Sequence, residues 1–169
     1  VIMDEHLKAF VPMGYTEEEL AYAEQFKEGI TDLDKDGLKS MISQMGGKEE
    51  RQEIQKMPML DFVLNRRSMI GGGGSTDVGD VSWVVPVGQA NVNCFAAGTA
   101  LHSWQAVAQG KSSIAHKGML TAAKVLASTG VQLLTQPGLL EQVKQDWISE
   151  REGDVYPNPL PKEAKPEIW

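Results

Sequence analysis

The chain has a single cysteine, Cys94, in 169 residues. An internal disulfide is therefore excluded, and a reducing, cytoplasmic compartment is the simplest expectation. Long apolar runs are missing as well. No stretch approaches the ~18 consecutive apolar residues of a membrane-spanning helix. A basic excess is also absent. Asp and Glu number 23 against 16 Lys and Arg, for a net charge of −7. Such a chain repels phosphate backbones, so nucleic acid is not an expected partner. The first twenty residues carry Asp4, Glu5, Glu17, Glu18 and Glu19, the wrong charges for a secretory leader. What is present suits a folded protein. Hydrophobic residues make up 41% and charged residues 23%, enough apolar side chains for a core. The length fits one domain, or one large piece of one.

Local patterns place several elements. Thr16-Glu17-Glu18-Glu19 reads as a capping box with three acids at the favoured end of the helix dipole. Leu20, Ala23, Phe26 and Lys27 continue at helical spacing to a break at Gly29, so a helix is expected over 17–28. Residues 31–56 are polar and interrupted by Gly37, Gly46 and Gly47, which reads as surface with a short helix around 48–56. The run Gly71–Gly74 has no side chains to fix it and reads as a junction. Asp80 to Pro86 is β-rich and ends in proline, and Val92 to Ala97 ends at Gly98, so both read as strands. Ser113 to Ser128 reads as a helix with Ala115, Met119, Ala122 and Leu126 on one face and Gly130 as terminator. Pro137 suits the first turn of a last helix that turns Leu139, Leu140, Val143 and Trp147 inward and ends near Glu152. The tail, with Pro157, Pro159, Pro161 and Pro166, reads as an extended arm.

The organisation that follows has four parts. Residues 1–70 form a helical and irregular segment, 71–74 the junction, 75–152 a strand-strand-helix-helix core, and 153–169 the arm. Two strands are few for so much apolar helix surface, and an isolated pair is only marginally stable. That imbalance points to part of a larger α/β domain.

Two segments carry potential chemistry. Ser75 to Trp83 places Asp77 and Asp80 three apart in a glycine-flexed turn. Leu101-His102-Ser103-Trp104-Gln105 places one imidazole between a strand and a helix. Loops at strand ends are where open α/β sheets build their sites, and imidazole nitrogen is the usual protein ligand for zinc. Each also has a plain alternative: turn-forming aspartates and a surface or hydrogen-bonded histidine.

The run Gly74–Pro86, then Leu101–Gln105, then Gln109-Gly110-Lys111-Ser112-Ser113-Ile114-Ala115-His116-Lys117-Gly118-Met119, resembles the C-terminal part of aminobenzoyl-glutamate hydrolases. These sit within the broad family of zinc amidohydrolases and carboxypeptidases. Tyr15 to Phe26 resembles the helix by which that family's chain re-enters its catalytic domain after an inserted lid domain. The resemblance implies an α/β sandwich catalytic domain, here its C-terminal portion without the lid. It also implies two zinc or other divalent ions per site in the intact enzyme, and oligomers. The family's last metal ligand, a histidine, falls on His102. Asp77, Asp80 and Ser103 are implied to lie near metal or substrate. Lys111, Ser113, His116 and Lys117 receive no role, and their plain reading is a solvated first helical turn.

The family's other metal ligands and its general-base glutamate lie upstream of the matching segments and have no counterpart here. Glu17-Glu18-Glu19 and Glu49-Glu50 lie in the wrong places. One histidine is fewer than the about three protein ligands of a catalytic zinc, so this chain alone is expected to hold no catalytic metal. The intact enzyme would cleave a small amide such as p-aminobenzoyl-glutamate, with zinc activating water and the glutamate moving the proton. The chain would need its missing N-terminal part or a partner subunit. Two other readings stand beside this one. The first is a non-catalytic interaction piece. In the second, Asp32-Leu33-Asp34-Lys35-Asp36-Gly37 begins like a calcium loop, but the loop then fails at Lys39 and at Ser43, where the bidentate glutamate belongs.

Overall fold

The structure, a computed structural model, describes residues 2–43, 47–63, 76–157, 160–161 and 163–165. The glycine run 71–74 lies outside the described residues. Eight helices occur among the described residues: α1 (Ile2–Phe10), α2 (Glu17–Glu28), α3 (Asp32–Ile42), α4 (Lys48–Lys56), α5 (Val78–Ser82), α6 (Trp104–Gln109), α7 (Ser113–Thr135) and α8 (Leu139–Glu150). They belong to two compact units. One comprises Val1–Arg67 and Gln89–Val131, the other Ser68–Gly88 and Gln132–Trp169.

In the first unit α2 has the expected bounds, and its capping box is complete. The Thr16 hydroxyl accepts from the Glu19 N–H at 3.2 Å, and the Glu19 carboxylate accepts from the Thr16 N–H at 2.8 Å. Ala23 on this helix joins Met59, Ala96 and Ile114 in one buried cluster, with Leu20 and Phe26 packed against it. The helix α4 also lies at the expected place, and contributes Ile54 to a second cluster with Leu38, Ile42 and Ala97.

The aspartate-rich stretch after Thr31 is the helix α3, not a loop. The Thr31 hydroxyl starts it by accepting from the Asp34 N–H at 3.3 Å. Lys35 and Lys39 then pair with Asp32 and Asp36 one turn back, at 3.1 and 2.7 Å. A helix spreads these carboxylates around its axis, whereas a calcium loop wraps them about one point. The calcium reading is therefore corrected. Burial of Leu38 and Ile42 accounts for the helix, because the second cluster needs that face.

Both expected strands take other forms, and no strand occurs among the described residues. Residues 78–82 wind into the single turn α5, followed by a turn at 83–84. Gly79, Asp80 and Ser82 are poor strand formers, and a local turn satisfies backbone groups that have no neighbouring strand. Residues 92–94 lack regular structure and 95–98 bend and turn. The Ala97 N–H bonds the Pro58 carbonyl at 2.8 Å, and the Ala96 N–H bonds the Gln109 side chain at 2.7 Å. Gly98 turns the chain at φ +86°, and an added Cβ would lie 3.2 Å from Ile30 Cδ1.

The helix α7 runs past Gly130 to Thr135. Glycine inside a helix costs only about 1 kcal/mol relative to alanine, and Pro137 makes the firmer stop. The apolar line expected from Ala115 through Leu126 is split. Ile114, Ala115, Gly118, Thr121 and Val125 are buried, while Met119 and Leu126 are exposed.

In the second unit α8 starts after Gly138, which caps it at φ +79°. Of its expected inward residues, Leu140 is exposed and Leu139, Val143 and Trp147 are half-buried. The Trp147 indole N–H donates to the Ser82 carbonyl at 2.7 Å. The Arg151 guanidinium stacks between Trp83 and Trp147, at 5.2 and 4.8 Å from the ring centroids. Tyr156 leans on Trp83 with centroids 5.9 Å apart. This small aromatic and cationic cluster fastens the start of the proline-rich tail.

Candidate functional site

His102 lies in the turn at 101–102, one residue before the cap of α6, and is exposed. Ser103 is the cap itself. Its hydroxyl accepts from the Ala106 N–H at 3.2 Å and donates to the Ala100 carbonyl at 2.6 Å. Leu101 and Trp104, its neighbours, are 73% and 71% exposed. Apolar side chains of that size flank His102 on the sequence, and Trp104 leans on Phe26 with ring centroids 6.1 Å apart.

Asp77 and Asp80 belong to the second unit. Asp77 precedes α5 and makes no capping bond with its side chain. Asp80 is exposed and accepts from the Tyr156 hydroxyl at 2.8 Å. The four residues expected at the site thus fall two and two into separate units.

The first unit holds two polar constructions to which the sequence patterns assign no role. Gln109, at the end of α6, is fully buried. Its amide oxygen accepts from the Ala96 N–H at 2.7 Å, and its amide nitrogen donates to Thr99 Oγ1 and to the Gln105 carbonyl, both at 3.1 Å. The second joins α7 to α2. Lys117 Nζ donates to the Glu19 carboxylate at 2.5 Å and to the Gly14 carbonyl at 2.8 Å, and lies 5.5 Å from the Tyr15 ring centre. Helical spacing shows neither in full, because the Ala96 N–H lies 13 residues from Gln109 and the partners of Lys117 lie 98 and 103 residues away. The expectation of a solvated first turn therefore fails at Lys117, whose side chain is only 29% exposed.

Burial pushes the Glu19 carboxyl up, but bonds from Lys117, the Thr16 backbone and Ser113, with the Lys117 charge, outweigh it and hold the group at about 2. The ordinary value is 4.5. A depressed acid stabilises the fold above the ordinary value and loses that contribution as pH falls towards the folded one. The stability of the chain should therefore decline between pH about 4.5 and about 2. Glu19→Gln should flatten that part of the curve in acid titrations followed by circular dichroism. An unchanged slope would show that Glu19 does not control it.

Among the described residues no three His, Cys, Asp or Glu side chains come together as a metal-holding group. The donors described do not by themselves fit a catalytic zinc, which takes about three protein ligands. Among the same residues no helix is long and apolar enough to cross a membrane.

No family model matches the chain. No solved structure matches it either. It is 38% identical over 176 aligned residues to the B subunit of p-aminobenzoyl-glutamate hydrolase from Escherichia coli strain K12, an alignment that covers 97% of this chain. The chain spans 35% of that protein's length, about a third. The alignment extends the likeness of residues 74–119 to nearly all of the sequence, and over this stretch the chain is similar to that p-aminobenzoyl-glutamate hydrolase subunit.

Proposed function

We propose that this chain is one portion of an amidohydrolase that cleaves N-acyl amino acids of the p-aminobenzoyl-glutamate class. The observation that carries the reading is the 38% identity along 97% of the chain to a hydrolase named for that substrate. The remaining portion of the protein would supply the rest of an α/β sandwich, the general base and most of the metal donors. A divalent metal there would activate water and polarise the amide carbonyl. The task left to this chain is to place the His102 imidazole at the edge of that site, with Asp77, Asp80 and Ser103 near metal or substrate. The relative is named as one subunit of its enzyme, which supports a partner subunit for the assembled protein. The lone thiol suits a cytoplasmic protein.

The test uses the whole protein, this chain joined to the portion outside the match. It should release p-aminobenzoate from p-aminobenzoyl-glutamate. His102→Ala should cut turnover by roughly 100-fold or more, since even residues that only support ligands cost 10–100-fold. The melting temperature should not move, because His102 is exposed. Normal turnover in the variant would remove His102 from the site. A whole protein inert towards N-acyl amino acids would refute the function.

A further inference from the structure

The helix α7 is apolar on two opposite faces. One is buried within the first unit through Ile114, Ala115, Gly118, Thr121 and Val125. Positions 119, 120, 123, 126, 127, 130 and 131 fall on the other at 3.6 residues per turn. They are Met119, Leu120, Ala123, Leu126, Ala127, Gly130 and Val131, with no charge among them, and the exposed His116 lies on the same face one turn before them. Lys124 lies at the rim of this face, its ammonium over the Phe10 ring at 5.9 Å. The four large residues, Met119, Leu120, Leu126 and Val131, are 54–60% exposed. A surface helix carries one apolar stripe and a polar back, and a helix apolar all round is buried. A contiguous apolar patch of this kind marks an interaction surface.

We infer that this outward face of α7 is the seat of the remaining portion of the same protein, and that α7 is a central, two-sided core helix of the assembled domain. The inference rests on the function proposed above and deepens it by naming the surface that completes the site-bearing domain. Two observations select this occupant. The chain spans only 35% of the relative's length, so most of the relative's polypeptide lies outside the matched stretch. The face also has a core's chemistry rather than a transient interface's. Its seven residues are uncharged, and small residues run down its middle, where a Cβ added at Gly130 meets nothing within 4 Å. A smooth, uncharged stripe lets another helix or a sheet approach closely and permanently.

The test compares one substitution in two contexts. Leu126→Glu in this chain alone should leave the melting temperature nearly unchanged, because the side chain is 56% exposed and glutamate forms helix well. In the whole protein the same substitution should lower it by about 10 °C or more, since it buries a charge. Met119 gives a readout that needs no substitution. Peroxide should oxidise it readily in the chain and at least about tenfold more slowly in the whole protein. Equal effects of Leu126→Glu in both contexts, or equal oxidation of Met119, would overturn the inference, whatever the hydrolysis assay shows. Sedimentation of the chain alone decides between occupants. A monomer agrees with the inference, while a dimer dispersed by Leu126→Glu would assign the face to a second copy. A buried face in a whole protein without hydrolase activity would uphold this inference and refute the function.

Discussion

Gly118→Ala should destabilise the isolated chain by about 2 kcal/mol, although alanine is the better helix former. In the second turn of α7, a Cβ at position 118 would lie 2.6 Å from Cys94 Sγ and 3.1 Å from the Asn93 carbonyl carbon, and closer still to the Asn93 carbonyl oxygen. Two of these atoms are backbone and cannot rotate away. Forcing a methyl into packed space costs about 1–3 kcal/mol, and the gain in helix propensity of about 1 kcal/mol offsets only part of a cost at the upper end or beyond it. The same helix holds its own control. At Gly130 an added Cβ meets nothing within 4 Å, so Gly130→Ala should stabilise the chain by up to about 1 kcal/mol. Urea denaturation of both variants gives the comparison. If Gly118→Ala were as stable as the original chain, the 92–94 segment would not press against α7.

Gln109→Leu should be at least as damaging, at about 2–4 kcal/mol. Leucine fills a similar space, so the loss is polar. The Ala96 N–H, a buried donor, would lose its acceptor, and Thr99 and Gln105 would each lose a donor. A buried group left unsatisfied costs about 1–3 kcal/mol. Ala96 belongs to the same cluster as Ala23 and Ile114, so the damage should spread to the packing of α2 on α7. Hydrogen exchange at the Ala96 amide reports the bond directly and should accelerate with the loss of stability. A variant within about 0.5 kcal/mol of the original, the range of ordinary surface changes, would mean that the loop does not depend on this amide.

What can be read from the sequence is what is decided over a few residues. The cap at Thr16 and the bounds of α2 and α4 depend on side chains within one turn of each other, and they are legible. The start of α7 is legible for the same reason, but its end is not, because a single glycine is a weaker stop than a proline. The runs at 80–86 and 92–97 are a different case. Valines favour a strand only where another strand accepts their backbone bonds, and none stands beside them among the described residues. The helix α3 escapes a sequence reading because its aspartates and lysines mask a buried face set by Leu38 and Ile42. Of the candidate site, only the position of His102 just before a helix is legible. The Lys117 link to Glu19 is not, since only the folded chain brings residues 98 apart together.

The cap on α6 bears on what His102 can do. Two hydrogen bonds to the Ser103 hydroxyl tie down the peptide that follows the imidazole, one reaching back to Ala100 and one forward into the helix. Ordering a residue's backbone costs about 1–2 kcal/mol, and here folding has already ordered it. In the site proposed above, the imidazole would need to settle only its own rotamer on meeting a ligand. Ser103→Ala would therefore loosen the aim of His102 without touching its chemistry. Its mark would be weaker capture by an unchanged group, and Ser103→Thr, which keeps the cap, should restore it.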